Sequence, residues 1–416
     1  MLPYKKISKC RICGNENLRT VLNFGDMFLA GVFPLPGESV DVCPLEMAKC
    51  WGEGQNTVCG LAQLRHTYNL EKLYGDNYGY RSGLNSSMVA HLHGIVKEIE
   101  SRIILNGKDL ILDIASNDGA LLSAYTNPNL QLVGIDPTAE KFGEFYKEGV
   151  IKFSQFFSSE LIKKNFKQKA KVITSIAMFY DLEDPLKFMR EIQEVLADDG
   201  IWVLEQSYLP LMISQNSYDT ICHEHLEYYA LEQINWMAER VGLKIIGVDF
   251  NNANGGSFRV TIAQRNSLYT PDTQKIGVIL SQEKEGGLQE WDMYQGFADK
   301  ALKHRDELVG FLQKLNADHK TVFGYGASTK GNVMLQFCNL SPALIPYIAE
   351  VNNYKFGRTT PGTNIPIISE AEAKKMRPDY FLVLPWHFKD NIVERESEYL
   401  RNGGHFIFPL PKIEAV

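Results

Sequence analysis

From residue 108 to about 265, short apolar runs alternate with polar stretches whose apolar positions recur at helical spacing. The run Leu110-Ile111-Leu112-Asp113-Ile114 suits a buried strand, and it ends in the acidic, glycine-bearing turn Ser116-Asn117-Asp118-Gly119. A helix is expected over 120–125, then a strand over 132–136 that stops at Pro137. Residues 172–177, ending at Ala177, and 201–205 read as further buried strands. Next come a helix over 231–242, a strand over 243–250 and a turn, Asn251 to Gly256, feeding another strand. Phe297, Leu302, Leu308 and Leu312 predict a connecting helix within 276–316. A new unit opens at Thr321: an apolar strand, the glycine-rich turn Gly324-Tyr325-Gly326-Ala327-Ser328 and a helix start at Thr329-Lys330-Gly331-Asn332. Strands over 347–352, 380–384 and 405–410 follow, with Glu350 in the first of them. Upstream, a helix is expected from Ser86 or Ser87.

Strands joined by crossover helices imply parallel sheets, whose ligands bind at the carboxyl ends of the strands. The fold class is therefore α/β: two Rossmann-like parallel-sheet domains preceded by a small cysteine-rich domain. The expected boundaries are 1–75, 76–275 and 276–416. The first seventy residues are broken by Gly14, Gly25, Gly31, Pro34, Pro36 and Gly37, and they read as loop-like.

Composition narrows the partners. The 416 residues carry a formal charge of −7, which argues against nucleic acid as a ligand. No apolar run is long enough for a membrane span, and the first residues lack a signal-peptide core, so a cytoplasmic protein is expected. The oligomeric state is not legible, and a monomer is compatible with the chain.

Five of the seven cysteines lie in the first sixty residues. Cys10-Arg11-Ile12-Cys13-Gly14 is half of a zinc knuckle: two thiolates two residues apart, and a glycine that frees the turn. Cys50 and Cys59 are the expected second pair. Their eight-residue gap is wide, which makes Cys43 a competing fourth ligand. Four thiolates leave no open position, so this zinc is structural.

The turn after the first strand has one glycine, Gly119, and lacks the Gly-x-Gly-x-x-Gly that lets a pyrophosphate approach. Asp136 stands 23 residues after Asp113, at a second strand end, where a carboxylate can accept both hydroxyls of a ribose. A nucleoside without phosphates suits this turn, and S-adenosylmethionine is one. Asp113, Ser116, Asn117, Asp118, Gly119, Asp136, Pro137 and Ala177 are its candidate contacts. In the third unit, backbone amides and Lys330 could hold a phosphate or diphosphate.

The densest chemistry is Cys222-His223-Glu224-His225, with Glu227 and Tyr228 just beyond. Two imidazoles and a carboxylate so close point to proton transfer or to a metal. The spacing is not His-Glu-x-x-His, so the two rings do not share one helical face. The tyrosine-glycine run from Tyr74 to Tyr80 suits a binding loop or, equally, aromatic packing on the next domain.

Taken in order, the motifs resemble those of the three-domain sugar C-methyltransferases. They are Cys-x-x-Cys-Gly, Asp113-Ile-x-Ser-Asn-Asp-Gly, Tyr218-Asp-Thr-x-x-His-Glu-His, Gly255-Gly-Ser and Gly324-Tyr-Gly-Ala-Ser-x-Lys-Gly-Asn. The resemblance covers nearly the whole chain, and its specific parts are the third motif, with His-Glu-His, and the last one. It implies a zinc-binding domain, a middle domain for S-adenosylmethionine and a C-terminal domain gripping a nucleotide-diphosphate sugar. The implied substrate is a nucleotide-linked 4-keto-6-deoxy sugar, methylated at C3 through an enolate.

On that chemistry His225 is the candidate base, Glu224 orients it or shares its proton, and His223 donates to the enolate oxygen or braces the loop. Tyr78 and Tyr80 are candidate donors or substrate contacts. Asn254, Ser257, Arg259, Tyr325, Ser328, Lys330, Asn332 and Glu350 are candidate substrate contacts. The chain departs from the family pattern at Ala115, Cys222 and Asp181, where the family carries glycine, tyrosine and, in some members, histidine. The second cysteine pair is also spread apart. A sugar O-methyltransferase and an NAD-dependent nucleotide-sugar oxidoreductase are the alternative readings.

Overall fold

The computed structural model describes residues 3–52, 57–69, 73 and 80–416. The expected donor Tyr78 lies outside them. Among the described residues, three large sheets and a two-stranded ribbon, Tyr4–Lys6 with His66–Tyr68, organise the chain; one apolar cluster runs through all three large sheets and a second lies against one face of the middle one.

The first sheet departs from the loop-like expectation. Leu18–Phe28 and Val42–Cys50 pair antiparallel, and Ala62–Leu64 extends them. Glycine and proline are spent on register shifts and on the connection between strands, leaving enough apolar residues to cover one face. The fourth strand comes from far away in sequence. Glu227–Tyr228, directly after the His-Glu-His motif, pairs antiparallel with Ala62–Leu64.

The middle sheet has seven strands, in the order Leu243–Asn251, Ser257–Gln264, Leu196–Ser207, Ala170–Ile176, Leu110–Ile114, Gln131–Ile135, Ile151–Phe153. Ser257–Gln264 runs antiparallel to both of its neighbours, and the other pairings are parallel. The central parallel strands Leu110–Ile114 and Ala170–Ile176 are buried on both faces, which is why they read as unbroken apolar runs. The helix expected over 120–125 is a single 3-10 turn, Leu122–Ala124. Leu121 and Leu122 are buried and the chain ends the turn at Tyr125, so the segment is too short to propagate. Ser86–Arg102 is the expected helix, capped by the Asn85 side chain.

The connecting helix is two helices, Thr273–Glu285 and Trp291–Ala317, separated at Gly286-Gly287. The third sheet has six strands, in the order Ile367–Ser369, Ile348–Glu350, Val322–Tyr325, Tyr380–Val383, His405–Phe408, Glu414–Ala415. Only the last pairing is antiparallel. The glycine-rich turn leads into Thr329–Phe337, with Ser328 as its cap. No helix among the described residues is long and apolar enough to cross a membrane.

Candidate active site

The four thiols expected to hold zinc meet. Cys10, Cys13, Cys50 and Cys59 place their sulfurs within 4.8 Å of one another. The Cys10–Cys59 and Cys13–Cys50 contacts are 3.4 Å each. A tetrahedral zinc with bonds of about 2.3 Å spaces its sulfurs by about 3.8 Å, so this donor set fits that ion. Both knuckles turn on a left-handed glycine, Gly14 with φ 73° and Gly60 with φ 67°. Cys43 is not in the quartet; its carbonyl faces His223.

The His-Glu-His loop hangs between the first sheet and a cleft. Leu64 donates its backbone N–H to the Leu226 carbonyl, and Glu227 and Tyr228 lie opposite Gln63 and Ala62. His223 turns toward the cysteine-rich sheet. Its Nε2 lies 3.3 Å from the Cys43 carbonyl, and its ring packs edge-on against Tyr68 at 4.7 Å. It is fully buried and does not line the cleft, so the geometry gives it a bracing position.

His225 and Glu224 do line the cleft. The His225 Nδ1–H donates to the Thr220 carbonyl at 3.0 Å, which leaves Nε2 as the bare acceptor. Tyr180 holds the ring at 4.2 Å between centroids. Burial, and then the Lys330 charge, push His225 down to about 3, so the ring is neutral at physiological pH. Burial raises the Glu224 carboxyl, and its Oε2 has no hydrogen-bond partner among the described residues. Burial also keeps Cys222 a protonated thiol.

The cleft is a cavity of about 970 Å³ that joins the carboxyl ends of the middle and third sheets. Asp113, Ser116, Asn117, Asp136, Pro137 and Ala177 line it at one end. Asp136 accepts from the Asn117 N–H at 2.9 Å and the Thr138 N–H at 2.7 Å. Asp113 accepts from the Thr174 hydroxyl at 2.6 Å, and burial pushes it up to about 7. Ala115, Asn117 and Gly119 have φ of 60°, 50° and 75°, so Ala115, where the family pattern expects glycine, takes the left-handed conformation that glycine adopts most readily. Two expected cofactor contacts serve the turn instead. Asp118 takes the Gly83 N–H at 2.8 Å, and a Cβ on Gly119 would stand 2.7 Å from the Tyr146 ring. Asn117 binds the same upstream segment through Ser82 and Tyr80, and Tyr80 itself faces the cleft with 49% exposure.

At the other end the cleft is lined by Asn254, Tyr325, Ser328, Lys330 and Glu350. Glu350 accepts backbone N–H groups of Ala327, Val351 and Asn352. Three expected substrate contacts lie elsewhere. Ser257 is buried and donates to the Ala253 carbonyl. Arg259 is paired with Glu98 and Glu205. Asn332 is fully buried and donates to the Ala30 carbonyl at 2.7 Å, tying the third unit to the first.

Sequence reasoning passed over other cleft residues. His91 and Glu205 meet at 2.5 Å, and His387, Lys355 and Arg395 line the far end. Glu205 gave a signal, an acid at the end of an apolar strand. His91 and His387 gave none, because their neighbours come from distant segments.

Three family models match in order along the chain: a zinc-binding domain over residues 10–74, a methyltransferase domain over 90–248 and a C-methyltransferase C-terminal domain over 252–411. The C-methyltransferase NovU of Streptomyces niveus is 31% identical over 415 residues, covering 98% of this chain and 96% of that protein. The chain belongs to the C-methyltransferase family. Among solved structures, the YcgJ protein of Bacillus subtilis has a TM-score of 0.35 and 16% identity, over 43% of this chain and 100% of that one. An S-adenosylmethionine-dependent methyltransferase of Clostridium acetobutylicum has a TM-score of 0.31 and 15% identity, over 41% and 89%. The cofactors of this C-methyltransferase are S-adenosylmethionine and the zinc of the cysteine quartet. The carboxylates and left-handed turn at one end of its cleft suit a cationic nucleoside.

Proposed function

We propose that the enzyme methylates C3 of a nucleotide-linked 4-keto-6-deoxy sugar by removing the proton beside the ketone. The observation that carries this reading is the bare Nε2 of His225, held neutral by its surroundings, in a cleft that also takes in the cofactor turn. Carbon becomes a nucleophile only when it gains electrons, and a C–H next to a ketone is the accessible source. S-adenosylmethionine, when bound, supplies an electrophilic methyl on a sulfonium. His225 takes the proton, and Glu224, whose carboxyl is raised by burial, shares it. Glu350, Lys355 and Arg395 are the proposed contacts for the nucleotide part.

The test is a set of 4-keto nucleotide-sugars, dTDP- and GDP-linked, incubated with ¹³C-methyl S-adenosylmethionine. A carbon-bound methyl resonance in the product supports the reading. An O-methyl resonance would replace it with the O-methyltransferase alternative.

Two further outcomes are expected. Asp113 ionises at about 7, and its charged form attracts the cationic donor. Between roughly pH 6 and pH 8, affinity for S-adenosylmethionine should therefore tighten about tenfold, following the ionised fraction. Calorimetry on Asp113→Asn should show that dependence gone. A Cβ on Gly31 would stand 2.1 Å from Glu224 Oε1. Gly31→Ala should displace this carboxylate and slow turnover by roughly 10²-fold, with S-adenosylmethionine affinity unchanged.

A further inference from the structure

Lys330 sits where the three units converge. It lies in the first turn of Thr329–Phe337, and its Nζ donates to the Asn254 carbonyl at 2.9 Å. Neighbouring contacts fix its surroundings. Gly255, next to Asn254, abuts His387, whose Cβ would lie 3.5 Å from a Cβ placed there. Thr329, on the other side of Lys330, borders Gly31 together with Glu224. The ammonium is thus between the His-Glu-His loop and His387, and all of them line the one cleft. Its charge depresses both His225 and His387.

Only one of its three N–H groups has a protein acceptor among the described contacts. Two other donors nearby are committed: the His225 Nδ1–H goes to Thr220, and the Trp386 indole N–H goes to Asp219. The His387 ring has no partner at Nδ1 among the described residues, but it is held neutral and brings no charge to a developing oxyanion. The Cys222 thiol is a weak donor. Lys355, by contrast, is tied to the Ala327 carbonyl beside Glu350, and Arg395 to Tyr325, Glu370 and Glu396.

We propose that Lys330 is a catalytic residue whose ammonium donates to the ketone oxygen of the substrate as the neighbouring carbon loses its proton. This rests on the enolate reading above. The C–H bond breaks and its proton goes to Nε2 of His225. The C–H electron pair becomes a carbon–carbon π bond, and the carbonyl π pair becomes a lone pair on oxygen. Lys330 meets that negative charge and keeps its own proton. In a site shielded from water, a fixed cation at the developing oxyanion is worth far more than in solvent. The alternative role for Lys330 is to hold the diphosphate, and the two roles separate experimentally.

The experiment follows exchange of the α-hydrogen in deuterated water, without a methyl donor, using a dTDP-linked and a GDP-linked 4-keto-6-deoxyhexose as probes. Binding of dTDP and GDP is titrated by calorimetry on the same samples. Lys330→Met should slow exchange by about 10²–10³-fold, the usual loss of one oxyanion donor, with nucleoside-diphosphate affinity within about twofold of wild type. Lys330→Gln keeps a neutral donor and should fall between the two; it carries the same readout if the Met variant does not fold. Exchange at the wild-type rate with affinity lost would make Lys330 a phosphate ligand and overturn the proposal. A wild-type enzyme that neither exchanges nor methylates the keto-sugars would instead overturn the enolate reading itself.

Discussion

Replacing His225 by asparagine is expected to lower kcat by roughly 10²–10⁴-fold, the range that a positioned general base contributes. Asparagine can still donate to the Thr220 carbonyl, so the loop keeps its tether while the proton acceptor disappears. S-adenosylmethionine affinity should survive, because the cofactor end of the cleft is built from Asp113 to Asp136 and does not include this ring. The pH dependence carries a second signature. An imidazole with its ordinary value would lose its base form as pH falls through about 6.5. Here burial and Lys330 hold the ring down to about 3, so the neutral form persists well below that. At saturating donor, kcat should show no acid limb near 6.5. Steady-state kinetics in buffers from roughly pH 5.5 to 8.5 check this; a limb at 6.5 that vanishes in His225→Asn would contradict the depressed value.

Loss of zinc is expected to abolish methylation as well, although the cysteine quartet is not part of the cleft. The reason is mechanical. The strand that follows His225 is the edge of the cysteine-rich sheet, and His223 is held against Cys43 and Tyr68 of that same unit. Lys49, next to Cys50, is buried and donates to Gly60, Leu288 and Tyr294, so the sheet also holds the start of the long helix Trp291–Ala317. Structural zinc in small domains contributes an apparent 10–16 kcal/mol or so of folding free energy. Without it the quartet becomes a group of buried thiols with no ion to bridge them. Cys50→Ser, or treatment with a chelator, should release the metal, lower Tm and remove turnover together. Cys43→Ser should leave zinc content unchanged, since Cys43 stands apart from the quartet. Metal analysis and activity on the same samples decide this. Full turnover in zinc-free enzyme would show that the loop holds itself.

The sequence was most informative where chemistry and local spacing coincide. Cys10 and Cys13 are neighbours by spacing alone, and the strand-turn reading of Asp113 to Gly119 needs only apolar periodicity and turn residues. The sequence favours Cys50 and Cys59 as the second pair, and the quartet bears this out, but it leaves Cys43 as a competitor because strand pairing sets which thiols face inward. The first sheet departs from the loop-like expectation for a related reason: its strands carry bulges and its fourth member arrives from residue 227. His223 and His225 are two residues apart and identical in type, yet one faces a protein core and the other the cleft. Local sequence cannot separate them; the pairing of residues 62–64 with 227–228 does. The pairs His91–Glu205 and Asn254–Lys330 join segments more than seventy residues apart, and no local pattern announces either.

The central claim is that the His-Glu-His loop removes a proton from carbon. The most direct measurement is α-hydrogen exchange in wild type and His225→Asn, each incubated with a 4-keto-6-deoxy nucleotide-sugar in deuterated water without S-adenosylmethionine. NMR should show deuterium entering C3 in the wild type and none in the variant over the same time. Exchange at the wild-type rate in His225→Asn would contradict the claim and move the base elsewhere in the cleft.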